Sequence, residues 1–464
     1  MMALLAGGAL AGCTPPDVRP AVNAKAPADL GLAGASAPAV DARWWRALGD
    51  AQLDRIVADA LAGNPTLDAA AARVRQAQAA LASRRAEDGP NVAFDANGTA
   101  QRLSGTYIYP PPYGGTVRFL GTAQAGLEWN LDLFGRQKAA IAGARASAQA
   151  AALDAAAARL MLQGAIVSTY LEVVRAERQA ALAGRTIAAR TQSLKLIDVR
   201  IRSHLASRLD REAANTLLAQ AELALARAHA ARALAANALA ALAGRGADYP
   251  ATIGATGVAA ESALPLPATI PADLLARRAD IAAAQARIAA AAAGRQVARR
   301  AFYPNINLSA LAGLQAVGLG NLFDANSGVA GGGGAIHLPI FDNGRLKADL
   351  VGAAAGLDLA IADYNAKVVG AVREAADAVA RIEAADAERA KQADVVRGYA
   401  ETARLNGIRV SSGLASRLDL IETDVRLLDA ELAQTNLAID ALAARAQLAQ
   451  ALGGGFDPSQ DIKQ

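Results

Sequence analysis

The residue types that carry most enzymatic and metal chemistry are scarce in this 464-residue chain. It has one cysteine, Cys13, and three histidines, His204, His229 and His337, which lie far apart in the sequence. Metal sites draw Cys and His ligands from short, recurrent spacings, and none of these four residues is close to another. The sequence also lacks a Gly-x-Ser-x-Gly elbow, a phosphate-binding loop and a His-Glu-x-x-His pair. We therefore expect no catalysis, no bound metal and no cofactor.

Two acidic residues have a spacing that could bring their charges close together. Asp419 and Glu422 lie one helical turn apart, so both carboxylates can face one direction. Like charges so close together repel and raise one another's pKa, and a ring of such pairs attracts cations. In the first half of the chain only Asp419 has a counterpart, Asp210, because Ala213 stands where Glu422 would fall. The plainer alternative is that these are ordinary solvated helix acids.

The single cysteine follows an apolar leader. Residues 1–12 are too short to span a bilayer and are typical of a signal sequence, although no Lys or Arg precedes the apolar run. Residues 10–13 (LAGC) match the lipobox of bacterial lipoproteins, so we predict that cleavage exposes Cys13 for a covalent lipid. Thr14, rather than Asp, follows the cysteine, which predicts sorting to the outer membrane.

One octet occurs twice, as SHLASRLD at 203–210 and as SGLASRLD at 412–419, an offset of 209 residues. The same offset relates Gly135 to Gly344, so roughly a hundred residues repeat without insertion or deletion. Long helices require this constancy, because one inserted residue rotates everything beyond it by about 100°. Each octet carries the only turn chemistry within a long helical run. The octets therefore predict the tips of two long helical hairpins.

The helices that flank the octets are predicted to be unusually long. Residues 136–201 contain no proline and no strong turn signal, and a helix of this length measures on the order of 100 Å. A return helix ends near Gly244, and the second repeat follows the same plan after Arg345. Its apolar residues alternate steps of three and four, which is the coiled-coil period. Shorter helices are predicted at 64–87 and 272–300.

Four other segments alternate with a period of two between small apolar and polar residues. They are 91–101, 117–130, 306–314 and a glycine-rich segment that ends at Leu338. Long strands with one apolar and one polar face are typical of transmembrane β-barrels. A soluble hairpin would alternate in the same way, but the recurrence of the pair in both halves favours the barrel. Within the last segment, Gly331 to Gly334 lack a following Lys-Ser or Lys-Thr, which favours small-residue packing over phosphate binding.

Four strands cannot close a barrel, and open strand edges are not tolerated in lipid. We therefore predict closure by several chains. Two chains would give eight strands with a filled interior, whereas three would give twelve strands and a pore.

Composition agrees with an extended helical protein. The chain is 53% apolar but only 4% aromatic, and its abundant alanine favours helices that approach closely. The net charge is +4, and acids and bases interleave along the helix faces, so nucleic acid is not an expected partner.

We predict a mainly α fold with a membrane β-barrel portion, built from long helical hairpins and four β-strands per chain, with an internal two-fold sequence repeat. The predicted organisation comprises a signal sequence at 1–12, a lipidated tether at 13–43, a first repeat at 44–249, a linker at 250–271, a second repeat at 272–454 and a tail at 455–464.

With these features in this order, the chain resembles the outer-membrane efflux family, the TolC-type channels, and within it the lipoprotein branch of multidrug efflux ducts (NodT- or OprM-like). The resemblance covers nearly the whole length. It is carried by residues 10–13, by Trp44-Trp45 with the Asn64-Pro65 helix, by 127–136 (LEWNLDLFGR) and its counterpart 338–345 (LPIFDNGR), and by the two octets.

The resemblance implies an exit duct of a tripartite efflux system that passively conducts small molecules. It implies a homotrimer held in the outer membrane by lipid and barrel, which extends into the periplasm and works with a periplasmic adaptor and an inner-membrane pump of the RND type. The alternative is a lipoprotein-anchored structural coiled-coil or adhesin-like envelope protein without a duct. The cargo stays open, because in this family the pump selects the substrate.

The resemblance also implies roles for individual residues. Asp419, Glu422 and Asp210 would line a closed periplasmic gate. The small or apolar tip residues would dock the adaptor; they are Leu205, Ala206, Ser207, Gly413, Leu414, Ala415 and Ser416. Local packing within each hairpin is the alternative for the tips.

Overall fold

A computed structural model describes residues 15–32, 40–109, 111–259, 274–342 and 344–457. The predicted signal sequence, Cys13, residues 260–271 of the predicted linker and residues 458–464 of the predicted tail lie outside these ranges.

The elements follow the order predicted from the repeats. In chain order they are α1 Ala51–Gly63, α2 Pro65–Ala86, β1 Asn91–Arg102, β2 Val117–Asn130, α3 Arg136–Arg202, α4 Arg208–Leu242, α5 Ala279–Arg300, β3 Asn305–Val317, β4 Gly328–His337, α6 Arg345–Ser411 and α7 Arg417–Ala451. The long helices α3 and α6 each have 67 residues, and the return helices α4 and α7 each have 35, so the helical hairpins of the two repeats are equal in length.

One predicted helix begins later than expected. The sequence predicted a helix over 272–300, but the described part opens with a 3-10 turn at Leu274–Arg277, and α5 begins at Ala279. Arg278 lies between them and is largely buried. Its guanidinium donates to Asp280 and Glu374, so the break between the 3-10 turn and α5 coincides with a buried arginine bound to two carboxylates.

The residues divide into two compact units that each combine parts of both repeats. One contains residues 73–151 and 283–364 with the N-terminal segment up to 24, and the other contains 25–72, 152–282 and 365–464.

The first unit holds a four-stranded antiparallel sheet in the order β1-β2-β3-β4. Phe94 pairs with Ala125, Ala125 with Ala312, and Ala312 with Ala330, which places these residues on one face. That face also carries Val92, Leu127, Trp129, Leu308, Leu314 and Ile336, whereas the other face carries Asp95, Asn97, Gln124, Glu128, Asn307 and Ser309. The sheet thus has an apolar and a polar face, and β1 and β4 are its edges.

In the same unit the predicted N-terminal tether contacts helices. Asp358 Oδ1 accepts hydrogen bonds from the N–H groups of Ala21 at 2.8 Å and Val22 at 3.1 Å. Arg295 donates to the carbonyl of Val18. Residues 18–22 of the predicted tether are therefore held by hydrogen bonds from their backbone to helix side chains.

The second unit has a core at the middle of the long helices. Trp44, Trp45 and α1 pack there against α3, α4 and α7, and the fully buried members include Leu53, Ile166, Val167, Tyr170, Leu239 and Ile439. The Tyr170 hydroxyl donates to Asp50 Oδ2 at 2.6 Å. Burial and this carboxylate raise the pKa of Tyr170.

The start of the predicted linker belongs to this core. Ile253 and Val258 are buried in it, and the Gly254 N–H donates to Gln52 Oε1 at 2.8 Å. Residues 250–259 therefore pack against the second unit.

Candidate functional site

The two octets form the turns that join the long helices to their return helices. At the end of α3, the His204 N–H donates to the Ile201 carbonyl at 3.0 Å and the Leu205 N–H to the Arg200 carbonyl at 2.7 Å. This pair of hydrogen bonds is the Schellman motif, which satisfies the last carbonyls of a helix. At the end of α6 the same pattern recurs.

The motif accounts for the one position at which the octets differ. The residue after the helix must adopt the left-handed conformation, which glycine reaches without strain. Gly413 has φ 72°, and His204 adopts φ 57° at the equivalent position. The second tip therefore uses the favoured residue, and the first tip holds a non-glycine residue in a sparsely populated conformation.

Each return helix begins with a capping box. Asp210 Oδ2 accepts from the N–H and the hydroxyl of Ser207 at 2.7 and 2.8 Å, and the Asp210 N–H donates back to Ser207 Oγ at 3.4 Å. The backbone and side-chain hydrogen bonds from Ser207 hold the pKa of Asp210 below its ordinary value. Ser416 and Asp419 form the same box, with distances of 3.1 and 3.2 Å. Such boxes fix the first turn of a helix.

The tips present apolar side chains that their own chain leaves uncovered. Leu205 is 68% exposed and Leu414 is 72% exposed. Ser207, Gly413 and Ser416 are exposed as well, and Ala206 and Ala415 are partly buried. Local packing within the described hairpins therefore does not account for the two leucines.

The acids predicted to form a gate have separate partners. Asp419 turns back to cap α7 through Ser416, whereas Glu422 Oε2 accepts from Arg190 Nη1 at 2.7 Å. The sequence predicted two like charges facing one direction; within this chain one caps a helix and the other forms an ion pair. Asp210 caps α4, so the first repeat keeps the cap and lacks the ion pair.

Sequence reasoning missed Arg190, which lies on α3 of the first repeat. A second contact nearby also joins the two repeats: with the Gln192 amide turned so that its oxygen faces Arg417, that oxygen accepts from Nε and Nη2 of Arg417 at 3.1 and 3.0 Å. No local pattern could identify these pairs, since the partners lie on helices far apart in sequence.

Further polar contacts continue along α3 and α7. Arg185 pairs with Glu431 at 2.6 Å, and Arg175 pairs with Asp440 at 2.8 Å. The two hairpins are therefore joined by charge pairs for several turns beyond the tips.

Two other carboxyl groups on α7 have raised pKa values. Burial raises the pKa of Asp424. Burial also raises the pKa of Asp429, with Arg190 opposing the shift and Glu422 adding to it. The electrostatic neighbourhood of Arg190 thus extends over two turns of α7.

Within the described ranges, no three or more His, Cys, Asp or Glu side chains are grouped so that they could hold a metal ion.

Comparisons with known proteins agree with one another. A family model described as "Outer membrane efflux protein" matches residues 56–245 and 270–454. The fusaric acid resistance protein FusA of Burkholderia cepacia is 32% identical over 98% of this chain and 87% of its own length. The outer membrane protein OprJ of Pseudomonas aeruginosa is 31% identical over 91% of this chain and 88% of its own. The crystal structure of the outer membrane protein VceC of Vibrio cholerae superposes with a TM-score of 0.82 at 32% identity, covering 90% of this chain and all of VceC.

Proposed function

The chain belongs to the outer membrane efflux protein family, and from that premise we propose how it assembles, docks and closes. It is an outer-membrane exit duct for efflux with the TolC-type fold. The proposal adds a homotrimer, docking of the hairpin tips to a periplasmic adaptor, a gate at Asp419, Glu422 and Asp210, and a lipid on Cys13.

The open sheet carries the proposal of a trimer. β1 and β4 are edge strands, and an unpaired edge leaves backbone N–H and C=O groups without partners, which is too costly in lipid. Twelve strands from three copies would close a barrel wide enough to conduct, whereas eight would be filled by side chains. The apolar face would then meet lipid and the polar face would line the lumen.

Trimer and pore are tested together. Detergent-solubilised protein should have the mass of three chains by light scattering, and planar-bilayer recording should show stepwise conductance. A stable monomer without conductance would refute the assembly.

The exposed leucines support docking at the tips. Leu205 and Leu414 are apolar groups at turns, where a solvated hairpin would carry polar residues. An adaptor with its own apolar hairpin tips is the proposed partner, and an inner-membrane pump of the RND type is the proposed source of cargo. The name of FusA refers to fusaric acid resistance. We infer that this duct likewise accepts small organic molecules, with selection made by the pump.

The contacts between hairpins support a gate near the tips. Glu422 is bound to Arg190 and Asp419 is bound into the turn, so opening would break the first contact and leave the second intact. Three such ion pairs in a trimer would hold the periplasmic entrance closed, with the remaining acidic charge favouring cations.

Lipidation of Cys13 rests on residues 10–13 alone. The variant Cys13→Ser should lose acyl labelling and keep the barrel in the membrane. Unchanged labelling in that variant would refute this part of the proposal.

A further inference from the structure

The two edge strands of the sheet differ on the apolar face. On β1 this face carries Val92 and Phe94, which are 65% and 70% exposed. On β4 the same face carries Ile336, which is 72% exposed, but only glycine or alanine at positions 328, 330, 332 and 334. From Gly328 to Gly334 the edge of β4 therefore has no large apolar side chain on this face, whereas the start of β1 has two.

Nothing within the described chain requires the glycines of β4. None of Gly331 to Gly334 has a positive φ. A Cβ at Gly331 or Gly333 would meet nothing within 4 Å. A Cβ at Gly332 would have its nearest neighbour, the Ser309 carbonyl oxygen, at 3.4 Å, and a Cβ at Gly334 would meet only Leu308 Cδ2 at 3.5 Å, and both are van der Waals distances. Glycine weakens a strand, and in a strand it often marks the close approach of another group. The four glycines therefore indicate a neighbour outside the chain.

Closure of the proposed trimer pairs β1 of one copy antiparallel with β4 of the next. We propose that at this seam the Phe94 ring covers the bare backbone at Gly334 of the neighbouring copy. An aromatic ring laid over an edge glycine restores the contacts that the missing side chain would make. This inference rests on the proposed trimer and adds the residues that form its seam.

The register of the seam follows from the stagger within the sheet. A row of paired residues begins at Asn91 and passes through Glu128 and Ser309 to Gly333. Asn91 is the first residue of β1, whereas Gly333 lies four residues before the end of β4 at His337. Relative to the strand ends, the row of paired residues is therefore displaced by four residues on going from β1 to β4, that is, over three steps from one strand to the next. A closed barrel continues this displacement at every step.

The next step leads from β4 to β1 of the neighbouring copy, where the row lies about five residues beyond the start of that strand. A residue on the lumen face can pair only with another residue on that face, which restricts the choice to every second position. The partner of Gly333 is then Asp95 or Asn97 of the neighbouring copy.

Both registers place Phe94 beside Gly334. If Asp95 is the partner of Gly333, Phe94 lies directly opposite Gly334. If Asn97 is the partner, Phe94 lies opposite Ile336 and has Gly334 on the diagonal, within reach of an aromatic side chain.

Disulfide trapping tests the seam. Ala96→Cys is combined with Gly334→Cys for one register and with Gly332→Cys for the other. The control combines Ala96→Cys with Gly333→Cys, whose side chains lie on opposite faces. After oxidation, one of the first two variants should give covalent dimers and trimers on a non-reducing gel, and the control and the wild type should give none.

The outcomes separate this inference from the trimer itself. If neither seam variant cross-links while light scattering shows an intact trimer, the seam is refuted and the trimer stands. If light scattering shows a monomer, the proposed assembly fails. Equal cross-linking in the control would also overturn the seam, because it would mean that the strands have no fixed register.

The role of the ring is tested without cysteines. Phe94→Ala should lower the temperature at which the trimer dissociates by about 5 °C, because loss of the ring leaves a void over Gly334. Phe323→Ala removes an equally exposed aromatic ring from the loop before β4 and should leave that temperature unchanged. Equal dissociation temperatures for Phe94→Ala and the wild type would overturn the role of the ring.

Discussion

Arg190 on α3 and Glu422 on α7 form an ion pair, with Nη1 and Oε2 2.7 Å apart, that joins the hairpin of the first repeat to the hairpin of the second. The Arg190 side chain is only 12% exposed, whereas Glu422 is 48% exposed. The arginine is thus largely withdrawn from water and depends on this carboxylate. Asp419 lies one turn away and is held by Ser416. Separation of the two hairpins near their tips must therefore break the Arg190–Glu422 contact.

The variant Arg190→Ala should open the duct. Loss of a partly exposed ion pair removes about 1 kcal/mol, which corresponds to a roughly fivefold shift toward the open arrangement in each protomer, and the trimer loses three such pairs. Single-channel recording in planar bilayers should show this rise, and Glu422→Gln should reproduce it. The matched control is Arg185→Ala, which removes a similar pair with Glu431 farther from the tip. An equal effect of the control would place the restraint along the whole helix pair.

Cation preference should depend on the same acids. Asp419→Asn with Glu422→Gln removes two charges per chain while keeping side-chain shape, so the reversal potential in a salt gradient should shift toward zero and block by trivalent cations from the periplasmic side should weaken. Glu401→Gln, an exposed acid on α6 paired with Arg404, serves as control. Unchanged selectivity in the double variant would show that these acids are surface charge.

Docking should fail when the exposed tip becomes charged. Leu414→Asp places a carboxylate at an apolar contact that is 72% exposed in this chain, and it should abolish dye export in cells that supply the adaptor and pump. Leu414→Met keeps the apolar surface and should export normally. Light scattering should show trimers for both variants. Normal export by Leu414→Asp would count against docking at this tip.

The first tip should be stabilised by the residue that the second tip already has. His204 occupies φ 57°, and glycine relieves the steric cost there at some expense in chain entropy, so His204→Gly should stabilise the hairpin by about 0.5 kcal/mol. The reverse comparison is Gly413→Ala at φ 72°, which should destabilise the second hairpin by about 1 kcal/mol. Hydrogen exchange of amides in the two turns measures both changes, and the same sign for both would contradict the explanation.

The features that the sequence predicted correctly are those set by local chemistry. The strands followed from a period of two, the long helices from the absence of breakers, and the tips from turn residues at a fixed offset. The Arg190–Glu422 pair could not be predicted, because its members lie 232 positions apart and their helices meet only through tertiary packing. The contact of Arg278 with Glu374 at the start of α5 could not be predicted for the same reason, since its members lie 96 positions apart.

The last prediction concerns how the stability of the protein depends on pH through Asp280, the partner of the buried Arg278. Burial alone would raise the pKa of Asp280, but the hydrogen bonds and charge of Arg278, at 2.9 to 3.0 Å, bring it below its ordinary value. A carboxyl whose folded pKa is depressed adds stability above its unfolded pKa, near 3.8, and loses it as the pH falls through the folded value. Asp280→Asn should therefore cost about 1–2 kcal/mol at pH 7, since Arg278 keeps Glu374 as a partner. As the pH falls from 3.8 through the lower folded pKa of Asp280, the variant and the wild type should converge, because Asp280 becomes protonated first in the unfolded and then in the folded state. Thermal unfolding of the purified protein across this range measures the difference.

The control is Asp377→Asn, which removes an exposed pair with Arg373 and should cost little stability at any pH. A deficit in Asp280→Asn that does not shrink as the pH falls below 3.8 would show that Asp280 contributes through its shape alone.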